Sequence, residues 1–313
     1  MKFGIQHPNF TYDGKGSEIV DSLRRIAAEA EHFNFDSFWV MDHFHQIGNV
    51  GQPNEPMLES WTTLGAMAGI TSKIKLGTMV TGIVYRHPSV LAKIGATLDV
   101  LSKGRLWMGI GAAWNEEESA AYGIPFPSAS ERFQRLEEAV QIIQKMWTED
   151  RTSFKGQFYQ IQDAYCNPKP VQKPRPPILI GGGGERRTLK LVAKYADACN
   201  IFGSPETVRK KLGVLRDHCK AVGRDYDSII KTKLGSVIID NDSDALKQRL
   251  AQSFKDVPPE RLSEFIMLGT PEEIHKKIEA FRDVGVDQMI VSFERGRELE
   301  GLKIFGEGVS NRF

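Results

Sequence analysis

Short runs rich in β-branched and aromatic residues alternate with amphipathic stretches along the whole chain, and a helix-like stretch follows each strand-like run before the next begins. Two parallel strands can be joined only by a crossover of a dozen or more residues, usually a helix. The alternation therefore points to an α/β fold around a parallel sheet and away from hairpin-built sandwiches.

The rhythm starts with a strand from Phe3 to Gln6 and a helix from about Ser17 to Asn34, where Ile19, Val20, Leu23, Ile26, Ala27, Ala30 and Phe33 recur at helical spacing. Ser17 suits a cap and Asn34 a stop. The run at Ser37 is the second strand, and a helix near Glu59–Thr71 leads to a third strand, Ile74–Val80, with Gly77 inside it. Pro88–Leu101 reads as helix and Arg105–Gly111 as the fourth strand.

Next come a loop containing Pro125 and Pro127, an amphipathic helix Arg132–Trp147, and an excursion from Arg151 to Pro177. Phe154, Phe158, Tyr159 and Ile161 around Lys155-Gly156 suggest a small hairpin there. Pro168, Pro170, Pro174, Pro176 and Pro177 then force an extended connection, because each fixes φ and removes a donor.

Ile178–Ile180 is the fifth strand and Ala198–Phe202 the sixth, with helices predicted over Glu185–Ala196 and Pro205–Val222. Ile229–Ile239 is the seventh, followed by a polar, helical insertion over about Asp242–Leu262. Thr270-Pro271-Glu272-Glu273 starts a helix with cap, proline and first-turn acids in the preferred order, and Met289–Phe293 closes the series.

Eight such units predict a closed (β/α)8 TIM barrel, one domain over residues 1–313, with insertions after strands 4 and 7. A (β/α)8 barrel typically takes ~250 residues, which leaves room for both. An open doubly wound sheet is the alternative.

With 41 basic and 40 acidic side chains, the chain has a formal charge of +1, no pull toward nucleic acid and no apolar run of membrane-spanning length. The amino-terminal residues lack the apolar core of a signal peptide. Cys166, Cys199 and Cys219 are odd in number and without CxxC spacing, so they read as free thiols in a reducing, cytoplasmic setting.

Chemistry gathers where strands end. Ser37-Phe38-Trp39-Val40-Met41-Asp42-His43-Phe44 is an apolar run that stops on a carboxylate and an imidazole, and in a parallel sheet that end faces the site. Gln6 and His7 from strand 1, Thr78, Met79 and Val80 from strand 3, and Asn115 and Glu116 from strand 4 arrive at the same face.

Gly181-Gly182-Gly183-Gly184 at a strand-to-helix junction suits an anion, since amides without Cβ shielding approach it closely and the helix adds its positive end. A tight turn needing positive φ is the plainer explanation of those glycines; a buried, satisfied imidazole is that of His43. His43-x-His45 as a zinc pair needs further ligands at later strand ends, where glycine and phenylalanine stand instead, so no metal is assigned. The acidic run Glu116-Glu117-Glu118 reads as a solvated helix start.

The succession Trp39-Val40-Met41-Asp42-His43-Phe44, Leu76-Gly77-Thr78-Met79-Val80-Thr81, Gly109-Ile110-Gly111-Ala112-Ala113-Trp114-Asn115-Glu116, Tyr122-Gly123, Pro168-Lys169-Pro170 and Pro177-Ile178-Leu179-Ile180-Gly181-Gly182 resembles the bacterial luciferase-like monooxygenase superfamily. The resemblance implies a TIM barrel using FMN or the deazaflavin coenzyme F420, and Asp-His at the end of strand 2 resembles the deazaflavin branch. It also implies a homodimer.

By residue, it implies Asp42 and His43 at the deazaflavin ring, a non-prolyl cis peptide at Met79-Val80 backing that ring, and Thr78 beside it. Asn115 would sit at the cofactor's polar side and Gly181, Gly182 and Gly183 at its phosphate. Some members place Thr and Lys after strand 6 for the phosphate, where this chain has Phe202-Gly203-Ser204.

The expected activity is hydride transfer between the deazaflavin C5 and a small organic substrate, with His43 as acid/base and Asp42 orienting it or holding the ring. Gln6, His7 and Phe10 are expected on the substrate side. The alternatives are an FMN-dependent monooxygenase using reduced flavin and O2, and a flavin-binding barrel without turnover.

Overall fold

Strands of two to ten residues have no stability in isolation, so each is held by a neighbour and the eight of the barrel by neighbours on both sides. The computed structural model describes residues 1–12, 17–48, 50–253 and 266–313. Its strands are β1 (Lys2–Gln6), β2 (Ser37–Val40), β3 (Lys75–Thr78), β4 (Thr81–Gly82), β5 (Leu106–Gly111), β6 (Thr152–Lys155), β7 (Gln160–Ala164), β8 (Ile178–Gly181), β9 (Ala198–Asn200), β10 (Ile230–Ile239), β11 (Ile266–Gly269) and β12 (Gln288–Phe293).

The helices are α1 (Ser17–His32), α2 (Ser60–Ile70), α3 (Pro88–Leu101), α4 (Glu116–Ala121), α5 (Ala129–Thr148), α6 (Thr188–Tyr195), α7 (Pro205–Ala221), α8 (Ser243–Ser253), α9 (Pro271–Asp283) and α10 (Glu298–Gly308). Eight parallel strands run in the order β1-β2-β3-β5-β8-β9-β10-β12, and β12 pairs back onto β1, with Lys2 opposite Gln288. This is the closed barrel the alternation predicts, and the open sheet is excluded by that last pairing.

The two faces of each strand separate two cores. Trp39, Met79, Trp107, Leu179, Ala198 and Ile290 fill the barrel, the two indoles meeting edge-on at 5.9 Å. The other face packs against the helices in one continuous cluster that includes Phe38, Leu76, Ile110, Ile180 and Val291. Gly77 interrupts a strand because a Cβ there would fall 2.5 Å from the Trp39 ring.

Several boundaries differ from the sequence reading. The third strand breaks at a cis peptide bond between Met79 and Val80, after which β4 pairs with β5 on its own. The acidic run does start a helix, Glu116–Ala121, but one of only six residues. α6 begins at Thr188, not at Glu185.

β11 and α10 had no strong pattern in the sequence. β11 is a short strand that pairs with β10 from Ser236 to Ile239. The excursion after β5 does contain the hairpin, β6 with β7 antiparallel. The insertion after β10 begins as helix α8; its residues beyond Ser253, and the Ser17 side chain, lie outside the described residues.

Among the described residues no helix is long and apolar enough to cross a membrane. The three cysteines are buried free thiols.

Candidate active site

The ends of β2, β3, β5, β8 and β9 surround a cavity of about 410 Å³ lined by Asp42, His43, Met79, Val80, Gly82, Tyr85, Gly111, Ala112, Ala113, Trp114, Phe133, Gly181 to Gly184, Thr188, Asn200 and Phe202. The chemistry of the wall is uneven. Toward β3 and β5 it is apolar and small; toward β2 it carries the imidazole; toward β8 it is bare backbone.

The apolar floor is set by close approach. Val80 follows the cis bond, and Cβ atoms added at Gly111 or Gly181 would each lie 2.8 Å from its methyl groups. At Gly109 a Cβ would fall 1.8 Å from the Thr78 carbonyl oxygen. Thr78 is fully buried beneath this bulge, its hydroxyl donating to the Gly109 carbonyl at 2.7 Å and accepting from Thr81 at 2.9 Å. It supports the floor and does not line the cavity.

His43 stands at the cavity edge, facing Trp114 at 5.5 Å with the rings at 69°. Its Nδ1 lies 2.8 Å from Glu118 Oε2, and Glu118 is fully buried. Tyr85 donates its hydroxyl to the same carboxylate at 2.5 Å, and the Phe44 and His45 amides donate to Oε1 at 2.5 and 3.2 Å.

Burial alone would raise the Glu118 pKa; the hydrogen bonds from His43, Tyr85 and the Phe44 amide outweigh it and hold the carboxyl at about 2. Burial, then the Glu118 carboxylate, pushes the Tyr85 phenol up. Glu118 is therefore an ionised acceptor, which requires the proton on His43 Nδ1 and leaves Nε2 as the working nitrogen.

The sequence reading had placed Glu118 on a solvated helix start. Asn115-x-x-Glu118 has the spacing of a capping box, and Asn115 Oδ1 does accept from the Glu118 amide at 3.1 Å. That spacing was the available signal; the carboxylate reaches for His43 instead of returning to the cap. Asn115 is nine-tenths buried in this capping role and is not part of the cavity wall.

Asp42 lines the cavity but does not orient the imidazole. Its carboxylate accepts from Ser60 at 2.6 Å and, bidentately, from Arg86 at 2.7 and 3.0 Å. Arg86 also reaches Glu59, so Asp42 anchors the segment after β4 to the start of α2.

The predicted substrate-side residues separate. Gln6 is on the barrel-facing register of Gly4, whose added Cβ would meet Ser37, Trp39 and Gln288. His7 and Phe10 are 1% and 0% exposed and pack edge-on against each other outside the cavity wall, with His7 Nε2 2.6 Å from the Tyr12 hydroxyl. Burial depresses the His7 pKa to about 4. Both are core side chains, and neither lines this cavity.

Asn200, which no sequence pattern marked, lines the cavity at the end of β9, its Oδ1 accepting from Thr232 at 3.0 Å. The glycine loop bends through Gly182, whose φ of +113° suits only glycine, and the Gly182 amide pairs with the Asn200 carbonyl. Among the described residues the Gly183 and Gly184 amides donate to no protein acceptor. The positive φ at Gly182 is what a tight turn requires, and the two amides beyond it border the cavity.

A parallel barrel whose strand ends form an apolar bowl, an imidazole–carboxylate pair and a bare amide cradle defines the class, a cofactor-dependent barrel enzyme. A family model described as luciferase-like monooxygenase matches residues 1–255, and the chain belongs to that family.

An F420-dependent glucose-6-phosphate dehydrogenase from Microbacterium testaceum is 30% identical, with 90% of each chain covered. Two solved structures are similar in fold. The coenzyme F420-dependent tetrahydromethanopterin reductase from Methanopyrus kandleri has a TM-score of 0.82 and 21% identity, covering 100% of this chain and 99% of its own. An EDTA monooxygenase from Chelativorans sp. has a TM-score of 0.86 and 16% identity, covering 100% and 93%.

Proposed function

We propose that this chain is an oxidoreductase that uses coenzyme F420 to transfer a hydride to or from a small organic substrate, with His43 as acid/base. What carries the reading is the meeting of the His43–Glu118 pair, the Val80 floor and the free glycine amides in one cavity, in a chain 30% identical to an F420-dependent dehydrogenase.

Met79 and Val80 would back the ring, Asp42 and His43 would flank it, and Gly181, Gly182 and Gly183 would take its phosphate; Thr78 and Asn115 would act from beneath. Bound there, the deazaflavin supplies C5 as hydride donor or acceptor. His43 Nε2 takes the hydroxyl proton as an alcohol is oxidised and returns it in the reverse direction, while Glu118 fixes the ring and stabilises its charged form. Gln6 shapes the substrate side, with His7 and Phe10 packed behind it.

The same reading makes residues 1–313 one working domain of a cytoplasmic homodimer. Fluorescence titration of the apoprotein with F420 and with FMN tests it: micromolar or tighter binding of F420 alone is expected. Preference for FMN, with oxygen consumed only when reduced FMN and substrate are both present, would replace it by the monooxygenase reading that the EDTA monooxygenase fold likeness favours.

A further inference from the structure

The sequence carries no lysine directly after the sixth strand, yet the glycine loop has a cation. Lys211, two turns into α7, donates from Nζ to the Gly183 carbonyl oxygen at 2.8 Å. It lies where a side chain at Gly183 would go, 2.6 Å from an ideal Cβ. The absent Cβ thus makes room for the ammonium.

Lys211 is half-buried, and among the described residues no carboxylate pairs with it. The nearest acid on the loop, Glu185, is 3.6 Å from Lys210 instead. Arg187, whose guanidinium sits 5.8 Å from the ring of the cavity residue Phe133, likewise has no carboxylate partner among the described residues. A half-buried ammonium whose acceptor is a neutral carbonyl, beside two amides without acceptors, leaves net positive charge at one end of the cavity.

We propose that Lys211 is the specificity-determining cation for the phosphate end of the cofactor, releasing or sharing the Gly183 carbonyl to bind a phosphate oxygen held by the Gly183 and Gly184 amides. This rests on the cofactor reading above and adds to it which residue distinguishes a phosphorylated ring from its bare riboside. Lysine acts here as a point charge on a flexible stem, which suits a switch of acceptor from carbonyl to phosphate.

The test compares fluorescence titrations of native protein, Lys211→Met and Lys211→Arg with F420 and with its dephosphorylated riboside, and in parallel with FMN and riboflavin. For whichever ring the native protein binds, Lys211→Met should weaken the phosphorylated form about tenfold or more while leaving the riboside unchanged, with Lys211→Arg recovering most of the loss. Unchanged affinity for the phosphorylated form in Lys211→Met overturns the proposal. Equal loss for both forms also overturns it, because Lys211 would then only hold the loop. Native binding of FMN without F420 sinks the deazaflavin reading alone, since the FMN and riboflavin pair still decides on Lys211; binding of neither ring sinks both.

Discussion

Glu118 gathers two side-chain and two backbone donors in a site with no solvent contact, so replacing it removes more than a charge. Glu118→Gln should lower stability by about 1–3 kcal/mol, the usual cost of leaving a buried donor without its acceptor. It should also free the His43 tautomer. Nitrogen NMR of His43 is expected to show the proton on Nδ1 in the native protein and a mixture in the variant; an unchanged tautomer would sink the orienting role. His43→Ala should cut turnover while leaving cofactor affinity near native, and native turnover would remove His43 from the mechanism. Acid lowers stability through two groups, each in its own pH window. His7 is held neutral, with a folded value of about 4 against 6.5, so the unfolded chain binds the extra proton between those values and stability falls as pH drops through that window. Glu118 is held at about 2 against 4.5, so its contribution is intact above pH 4.5 and is lost as pH falls toward 2. Urea midpoints at pH 7 and pH 4.5 should therefore show a loss of roughly 2–3 kcal/mol that His7→Phe largely abolishes.

At the level of the element, the floor under the cavity depends on glycines at fixed heights. Gly109→Ala would place a methyl group 1.8 Å from a backbone oxygen that cannot move without breaking β3, so failure to fold is expected. Gly111→Ala meets only a Val80 methyl at 2.8 Å. That variant should fold with a modest drop in Tm and bind the ring more weakly; native affinity would show that Val80 does not touch the cofactor. The alternation of apolar runs made the barrel strands legible in the sequence, because a buried parallel strand needs nothing but β-branched and aromatic residues and a crossover helix. Asp42 and His43 were legible as cavity residues for the same reason, since they follow such a run directly. Their division of labour was not. Which of three consecutive glutamates turns inward depends on the phase of α4, and six residues are too few to display a periodicity. β11 escaped for a different reason: four residues beside an insertion look like any short apolar run until β10 supplies a partner.

Over the whole molecule, closure is the property that no local pattern carries. An open and a closed sheet read alike along the chain, and the ladder between β12 and β1 distinguishes them, with Gln288 of β12 also donating across β1 to Ser37 of β2 at 2.7 Å. Trp39 spans the space that closure creates, so Trp39→Ala should cost roughly 3–5 kcal/mol and lower Tm, with the loss felt across all the barrel strands. Amide exchange should show it: strands on opposite sides of the barrel should lose protection together, whereas loss confined to β2 and its neighbours would mean the barrel opens piecewise. The ten residues of β10 pair with β12 from Thr232 to Val237 and also serve two further neighbours in turn, β9 from Ile230 to Thr232 and β11 from Ser236 to Ile239. β11 therefore pairs along the last residues of β10, outside the ladder that closes the barrel. Such an edge is an attachment point: chains of one architecture can differ in length and chemistry beyond Ile239 without re-registering a single barrel strand.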